Sequence, residues 1–318
     1  MFKKTYVLVF PAFLFLFTNC KQTEKTIQTN YGPFTFTECD VMETPAKNMV
    51  LHHPEHFTFL EDVKIDFLDH KSNGASLRGF IVQPKNPGSY PIIIYNRGGN
   101  RELGELIVGA AIQYMAPIAA QGYVVLATNY VGVNGGIENE EFGGADVAHV
   151  INLIKDAKTL PNSDSTRIGL VGISRGGMMN YLVQKEAGDD IKIDASVNIS
   201  AISDLEFTIK HHPQLEGVCE ELIPNYKNNR KAELEKRSAI YWTDQLSDHT
   251  AQLILCGTND QHVHYQQAID LAEALKAANK PHKLVVYEGD NHGLRNHKLE
   301  VAQLIGQWLN EHVAQKAK

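Results

Sequence analysis

From about Phe57 onward the polar and apolar positions of this chain alternate between two rhythms, one of period two and one of period near 3.6. Phe57 to Leu68 and Leu77 to Gln83 read as strands, and Ser72-Asn73-Gly74 between them is a hairpin signal. Within Pro91 to Asn96, the run Ile92-Ile93-Ile94-Tyr95 is apolar without alternation, as in a strand covered on both faces of a parallel sheet. Helical spacing over Glu105 to Gln121 stops at Gly122, and Tyr123 to Thr128 is strand again. A glycine-rich loop, Tyr130 to Gly144, is long enough to have a function of its own. Ala145 to Lys158 follows as a helix closed by Pro161. Next come a buried strand, Ile168 to Ile173, and a helix with Met178, Met179, Leu182 and Val183 at core spacing.

Asp194 to Ser200 is a further strand. Ile202 to His249 lacks a strand period; Leu205 to Ile209, Glu220 to Ile223 and Lys231 to Tyr241 look helical, so this stretch is expected as an insertion over the sheet's edge. The rhythm resumes with strand Ala251 to Cys256, helix Tyr265 to Ala278, strand His282 to Tyr287 and helix Val301 to Val313. Strands alternating with helices of this length predict an α/β domain, doubly wound around a mostly parallel sheet. Right-handed crossovers then bring the loops after the strands to one rim, where ligands bind.

The N-terminal stretch follows neither rhythm. Lys3-Lys4 precedes a run from Tyr6 to Phe17 that is apolar apart from Pro11, too short to span a bilayer and ordered like a secretory signal. Phe17-Thr18-Asn19-Cys20 resembles a bacterial lipoprotein processing site, although Phe17 and Asn19 depart from the usual residues there. The expected organisation is a lipoprotein-type signal over 1–20 with Cys20 lipidated, a tether and extension over 21–56, and the folded α/β domain over 57–318. Export to the bacterial cell envelope follows, with the membrane engaged only through the lipid; an ordinary cleaved signal is the alternative. Cys39, Cys219 and Cys256 remain, an odd number that builds no complete disulfide framework, and a Cys39–Cys219 pair stays open. At 318 residues and a formal charge of −7, with both signs interspersed, the chain has ample core and no nucleic-acid footprint.

The chemistry concentrates at three strand ends. Gly172-Ile173-Ser174-Arg175-Gly176 fits the G-x-S-x-G turn that lifts a serine above a parallel sheet, with glycines where a Cβ would clash. Serine needs a general base, and that base needs an orienting carboxylate. Gly257-Thr258-Asn259-Asp260 and Glu288-Gly289-Asp290-Asn291-His292-Gly293 follow later strands, so Ser174, Asp260 and His292 come in the chain order expected for such a sheet. Asp204 and Asp290 are the competing acids. His52, His53, His56, His211, His212, His262 and His264 sit in loops without ligand partners at metal spacing, so neither metal nor other cofactor is expected. Trp242, Tyr241 and Tyr226 either line an acyl pocket or pack in the core.

The segments Arg167 to Gly177, Leu253 to Asp260, Glu288 to Leu294 and Arg237 to Trp242 resemble the catalytic domain of the prolyl oligopeptidase family of serine hydrolases. The resemblance implies an α/β-hydrolase fold, with Ser174 as nucleophile, Asp260 as orienting acid and His292 as base and then acid. The oxyanion needs two donors. The Arg175 N–H, after the nucleophile, is one; the other is expected from the backbone of Arg97-Gly98-Gly99. The large family peptidases donate a tyrosine hydroxyl beside these glycines, but here Arg97 holds that place and Tyr95 lies two residues back. Those peptidases also carry a propeller, for which the stretch between Cys20 and the first strand is too short. The expected activity is therefore hydrolysis of a short peptide or small acyl substrate. The alternatives are a carboxylesterase acting on small or glycan-linked esters and, further off, a non-catalytic binding lipoprotein.

Overall fold

The computed structural model describes residues 27–133 and 140–315; the signal segment and Cys20 lie outside them. Ten strands form one sheet: β1 (Gln28–Tyr31), β2 (Phe34–Glu38), β3 (Val63–Ser72), β4 (Ala75–Pro84), β5 (Tyr90–Asn96), β6 (Val124–Thr128), β7 (Ser163–Ile173), β8 (Ala195–Ile199), β9 (Ala251–Gly257) and β10 (His282–Tyr287). Their order is β1-β2-β3-β4-β6-β5-β7-β8-β9-β10. The first four strands pair antiparallel, β4 also meets β6 antiparallel, and β6 through β10 run parallel. The β3–β4 hairpin turns at Asn73 and Gly74, with φ of 49° and 87°, the left-handed pair that matches strand twist.

Helices complete two further layers. They are α1 (Lys47–His52), α2 (Val108–Ala110), α3 (Ala116–Ala119), α4 (Asp146–Ala157), α5 (Arg175–Glu186), α6 (Leu205–His211), α7 (Gln214–Leu222), α8 (Tyr226–Arg237), α9 (Gln266–Ala277) and α10 (Lys298–Leu309). Ile92, Ile94, Leu126 and Leu170 face the layer that holds α4, α5 and α9, whereas Ile93, Val125, Val171 and Leu253 face the layer that holds α3 and α10. Burial on both faces is why these strands read as unbroken apolar runs. A π turn over Ala111–Met115 joins α2 to α3. Pro117 lacks an N–H and would crowd the carbonyl four residues back, and the wider turn relieves both problems.

Several placements differ from the sequence reading, among them the start of β7 at Ser163 rather than Ile168, and three matter to the fold. The sheet begins at Gln28 rather than near Phe57, because Phe34 and Phe36 pair opposite His70 and Leu68 and cover the end of β3. Phe57 to Glu61 forms helical turns, and β3 starts at Val63. The segment that holds α6 to α8 leaves from between β8 and β9, both interior strands, and lies over the helical layer rather than beyond an edge: the turn Ala239–Tyr241 after α8 packs on α5 and α9, and Gln267 of α9 donates to Thr208 of α6 at 3.1 Å. The anchor of the segment is Arg237, which donates to the carbonyls of Phe142 and Glu141 at 3.0 and 3.2 Å.

The connections place the rim. β5 leads to β6 on one side through α2 and α3, whereas β6 returns to β7 on the other side of β5 through α4 on the opposite face. Adjacent strands whose connections depart in opposite directions leave a crevice at their C-terminal ends, here between β5 and β7. Below it, buried amides cross the layers: Asn180 of α5 accepts from Asn96 at 2.9 Å and donates to Asn198 at 3.0 Å, and Asn198 donates to Gln252 at 3.1 Å. Cys39, Cys219 and Cys256 are buried free thiols, each pushed up to about 12 chiefly by burial. No described helix is long and apolar enough to cross a membrane.

The junction of the antiparallel and parallel halves is tight, since a Cβ on Gly79 would lie 1.8 Å from the Ala127 carbonyl oxygen. Gly79→Ala is expected to destabilise the fold by about 3 kcal/mol, at the upper end of overpacking costs, read as a lowered urea midpoint at unchanged m-value.

Candidate active site

Ser174 stands between β7 and α5 with φ 58° and ψ −123°, a conformation that costs a non-glycine residue of order 1–3 kcal/mol. Its neighbours hold it there. The Ser174 N–H donates to the Ile199 carbonyl at 2.8 Å, and its own carbonyl accepts from Gly177 at 3.0 Å. A Cβ on Gly172 would meet the Gly176 carbonyl oxygen at 2.3 Å, and one on Gly176 would meet that of Asn96 at 1.9 Å. These two glycines therefore let the end of β5, the end of β7 and the start of α5 share one space. Gly98 backs directly onto the serine, because a Cβ there would lie 3.3 Å from the Ser174 Cβ.

Asp260 follows β9, and His292 lies in the loop after β10. His292 Nδ1 donates to Asp260 Oδ2 at 2.7 Å, which leaves Nε2 as the acceptor of the neutral ring. The other Asp260 oxygen accepts the N–H groups of His262 and Val263 at 2.8 and 3.0 Å. Burial pushes this carboxyl up, but the His292 hydrogen bond and charge, with the two backbone donors, outweigh it and hold it below the ordinary range. The His262 ring stands edge-on to His292 at 5.0 Å between centroids, and His212 of the inserted helices lies 5.4 Å beyond. Desolvation first, and then the His292 charge, lower the His262 value.

The competing acids have other work. Asp204 caps α6 by accepting the Phe207 N–H at 3.0 Å, and burial raises its carboxyl. Asp290 is fully buried and folds the histidine loop: it accepts N–H groups of Asn291, Asn296 and His297 and the His297 ring at 2.8 Å. A Cβ on Gly257 would lie 2.4 Å from the Asp290 carbonyl oxygen, so the acid strand and this loop touch only because residue 257 is glycine.

Arg97 does not project toward a substrate. Its guanidinium is buried and donates to the carbonyls of Gly98, Leu103 and Arg101 at 3.1, 3.0 and 2.8 Å, so the side chain clamps its own loop. Tyr95 is buried too, stacked on Tyr114 at 5.8 Å. Trp242 and Tyr226 are core residues: the Trp242 indole donates to the Glu235 carbonyl and the Tyr226 hydroxyl to Glu216, whereas Tyr241 is exposed. His53 and His56 do have a carboxylate between them, Glu55, with ligand atoms within 4.8 Å; all three are exposed and nothing buried fixes them.

Sequence reasoning missed a buried charge cluster. The Arg175 side chain is 1% exposed and lies between the rings of Tyr130 and Phe142, with its guanidinium carbon 4.1 and 4.6 Å from their centroids. It donates to Glu140 and Asp146 at 2.8 Å each and to the Gly99 carbonyl at 3.2 Å. Burial would lower the Arg175 value, but Asp146 and Glu140 prevail and hold it above the ordinary one. Deleting one member would strand a buried charge at a cost of about 3–5 kcal/mol. Glu140, Glu141 and Asp146 stand close together in the sequence, but Arg175, the partner of Glu140 and Asp146, lies 29 residues or more away, so nothing local marks the pairing.

A folded-state value below the ordinary one means that the Asp260 contribution to stability is complete above the usual carboxylate range and lost as the pH falls through the lower value. Below about pH 4, the unfolding free energy of the wild type is therefore expected to fall more steeply with acid than that of Asp260→Asn, as followed by urea titrations at successive pH values.

Similarity to known proteins places the chain in a family. The family model for the prolyl oligopeptidase family matches residues 110–316. An uncharacterized peptidase of Bacillus subtilis, YtmA, is 30% identical over 78% of this chain and 94% of its own length. Rat acylamino-acid-releasing enzyme is 24% identical over 83% of this chain but only 36% of its own length. Among solved structures, Pyrococcus horikoshii acylaminoacyl peptidase superimposes with a TM-score of 0.68 at 18% identity over 90% of this chain and 48% of its own. Porphyromonas gingivalis dipeptidyl peptidase 4 gives 0.67 at 19% identity over 91% and 43%. The chain thus spans nearly all of one relative and less than half of the larger ones, and its fold is that of their α/β-hydrolase catalytic domains. With the family model covering most of the described domain, the chain belongs to the prolyl oligopeptidase family of serine peptidases.

Proposed function

We propose that this serine peptidase cleaves short peptides through an acyl-Ser174 intermediate, with Asp260 and His292 completing the catalytic set. The observation that carries the reading is the buried Asp260 carboxylate bonded to His292 Nδ1 on the same rim as the strained Ser174 turn. β7 and β9 are separated by one strand, about 10 Å at ordinary spacing, a gap that a carboxylate and an imidazole in line have the length to bridge. In this reading His292 Nε2 takes the Ser174 hydroxyl proton as Oγ attacks the scissile carbonyl. Asp260 stabilises the imidazolium, which then protonates the departing amine. Water deacylates the serine by the same route in reverse.

The developing oxyanion is received by the Arg175 N–H, at the first turn of α5 where no intrahelical partner exists, and by backbone of the 97–99 loop. Gly98, packed against Ser174, lets that backbone come close. Peptides as substrates are supported by the names of the relatives, which release acylamino acids or dipeptides. Export and lipidation at Cys20 are proposed from the charged-then-apolar order of residues 3–17 and the cysteine that follows.

A fluorophosphonate probe is expected to label the folded wild type and not Ser174→Ala, whose kcat should fall by about 10⁴-fold or more. Comparing aminoacyl-amide with short acyl-ester turnover then separates peptidase from esterase: an amide rate negligible beside the ester rate would overturn the peptide reading. Mass analysis of the N-terminal peptide from the membrane fraction is expected to show a diacylglycerol-modified Cys20; a free terminus beyond residue 20 would refute lipidation.

A further inference from the structure

We propose that Glu140 is a positioning residue that holds the two oxyanion-binding stretches of backbone in register, an inference that rests on the catalytic reading above. One Glu140 oxygen accepts the Arg101 backbone N–H at 2.7 Å, and the other accepts Arg175 Nη1 at 2.8 Å. That same Arg175 nitrogen donates to the Gly99 carbonyl at 3.2 Å, and Arg97 Nη2 lies 4.0 Å from Glu140. A single carboxylate therefore bridges the loop after β5 to the residue after the nucleophile. Glu140 is 3% exposed and Arg175 1%, so neither side chain meets a substrate, and the effect passes through backbone alone.

Two further observations show the loop being held. Arg101 has a left-handed φ of 49°, which a side-chain-bearing residue keeps only where its surroundings fix it. The Tyr130 hydroxyl donates to the Arg97 carbonyl at 2.9 Å while its ring lies against Arg175. Tyr130 and Glu140 thus bolt both described ends of the glycine-rich loop to the same place. Asp146 pairs with the other Arg175 nitrogen but makes no bond to residues 97–101, so it shares the electrostatics of Glu140 without its bridge.

The chemistry requires a carboxylate. Both Glu140 oxygens face donors, whereas a glutamine offers one acceptor and one NH₂, so either flip sets a donor against a donor. Misplaced donors weaken only the transition state, so kcat and kcat/KM should fall together with KM unchanged. For Glu140→Gln the expected loss in kcat is about 10- to 100-fold. A peptide boronic acid, whose tetrahedral adduct occupies the same hole, should lose affinity by the same factor as kcat/KM. Asp146→Asn, with the bridge intact, should lose much less kcat at a comparable shift in melting temperature.

The test is steady-state kinetics on the full chain with an aminoacyl-amide, boronic acid inhibition and thermal melts for wild type, Glu140→Gln, Glu140→Asp and Asp146→Asn. If Glu140→Gln does not fold, Glu140→Asp decides: it keeps both acceptors and the charge but shortens the reach, and an intermediate kcat loss at constant KM is expected. Unchanged kcat in the folded Glu140 variants, a rise in KM alone, or kcat losses that match those of Asp146→Asn would overturn the positioning role. A wild type that neither turns over nor reacts with fluorophosphonate would instead sink the catalytic reading, and the Glu140 proposal with it.

Discussion

The close approach of backbone at the C-terminal ends of β5 and β7 is the constraint on which the rest depends. Ser174 keeps its left-handed conformation because Gly172 lets the Gly176 carbonyl turn back over β7 and Gly176 lets the Asn96 carbonyl stand where a Cβ would go. The cost of that strain is met by the packed layers beneath, where α5 is buried through Met178, Met179, Leu182 and Val183 and its Asn180 is bonded into the sheet. The strand order makes this junction unavoidable: connections leave β5 and β7 in opposite directions, and their ends open into one crevice.

Paired buried charges tie the crevice together. Charged side chains are rarely buried unpaired, because desolvation exceeds what a single partner returns. Here Arg97 and Arg175 go inside together with Glu140 and Asp146, two cations and two anions, and the Tyr130 and Phe142 rings fill the remaining faces. The arrangement is neutral as a whole and fixed by hydrogen bonds, so it keeps the loop after β5 in place without presenting charge to the site. Arg237 extends the same device to the inserted helices, which reach the rim through the carbonyls of residues 141 and 142.

On the other side of the serine the histidine is set by backbone again. Asp290 gathers the loop that bears His292, Gly257 admits that loop to the end of β9, and Asp260, itself held by two N–H groups, orients the ring. Two buried carboxylates thus divide the labour. One shapes the loop, and the other sets the imidazole tautomer.

Much of this was legible from residue order alone. The continuous run Ile92-Ile93-Ile94, the G-x-S-x-G turn and the acid and histidine after later strands are local signals, each produced by a steric or solvation demand within a few residues, and they determine a parallel sheet with a serine at its rim. Local signals favoured Asp260 and left Asp204 and Asp290 as competitors whose own roles only the fold assigned, since a helix cap and a loop staple are defined by which N–H groups lie in reach. The strands β1 and β2 escaped notice because β1 pairs only with β2, and β2 joins the sheet through β3, which lies a long excursion away in sequence. The inward turn of Arg97 and the clustering of Arg175 with Glu140 and Asp146 were decided by tertiary structure alone: whether a charge can be buried depends on partners that distant segments deliver, and no pattern along the chain records that meeting.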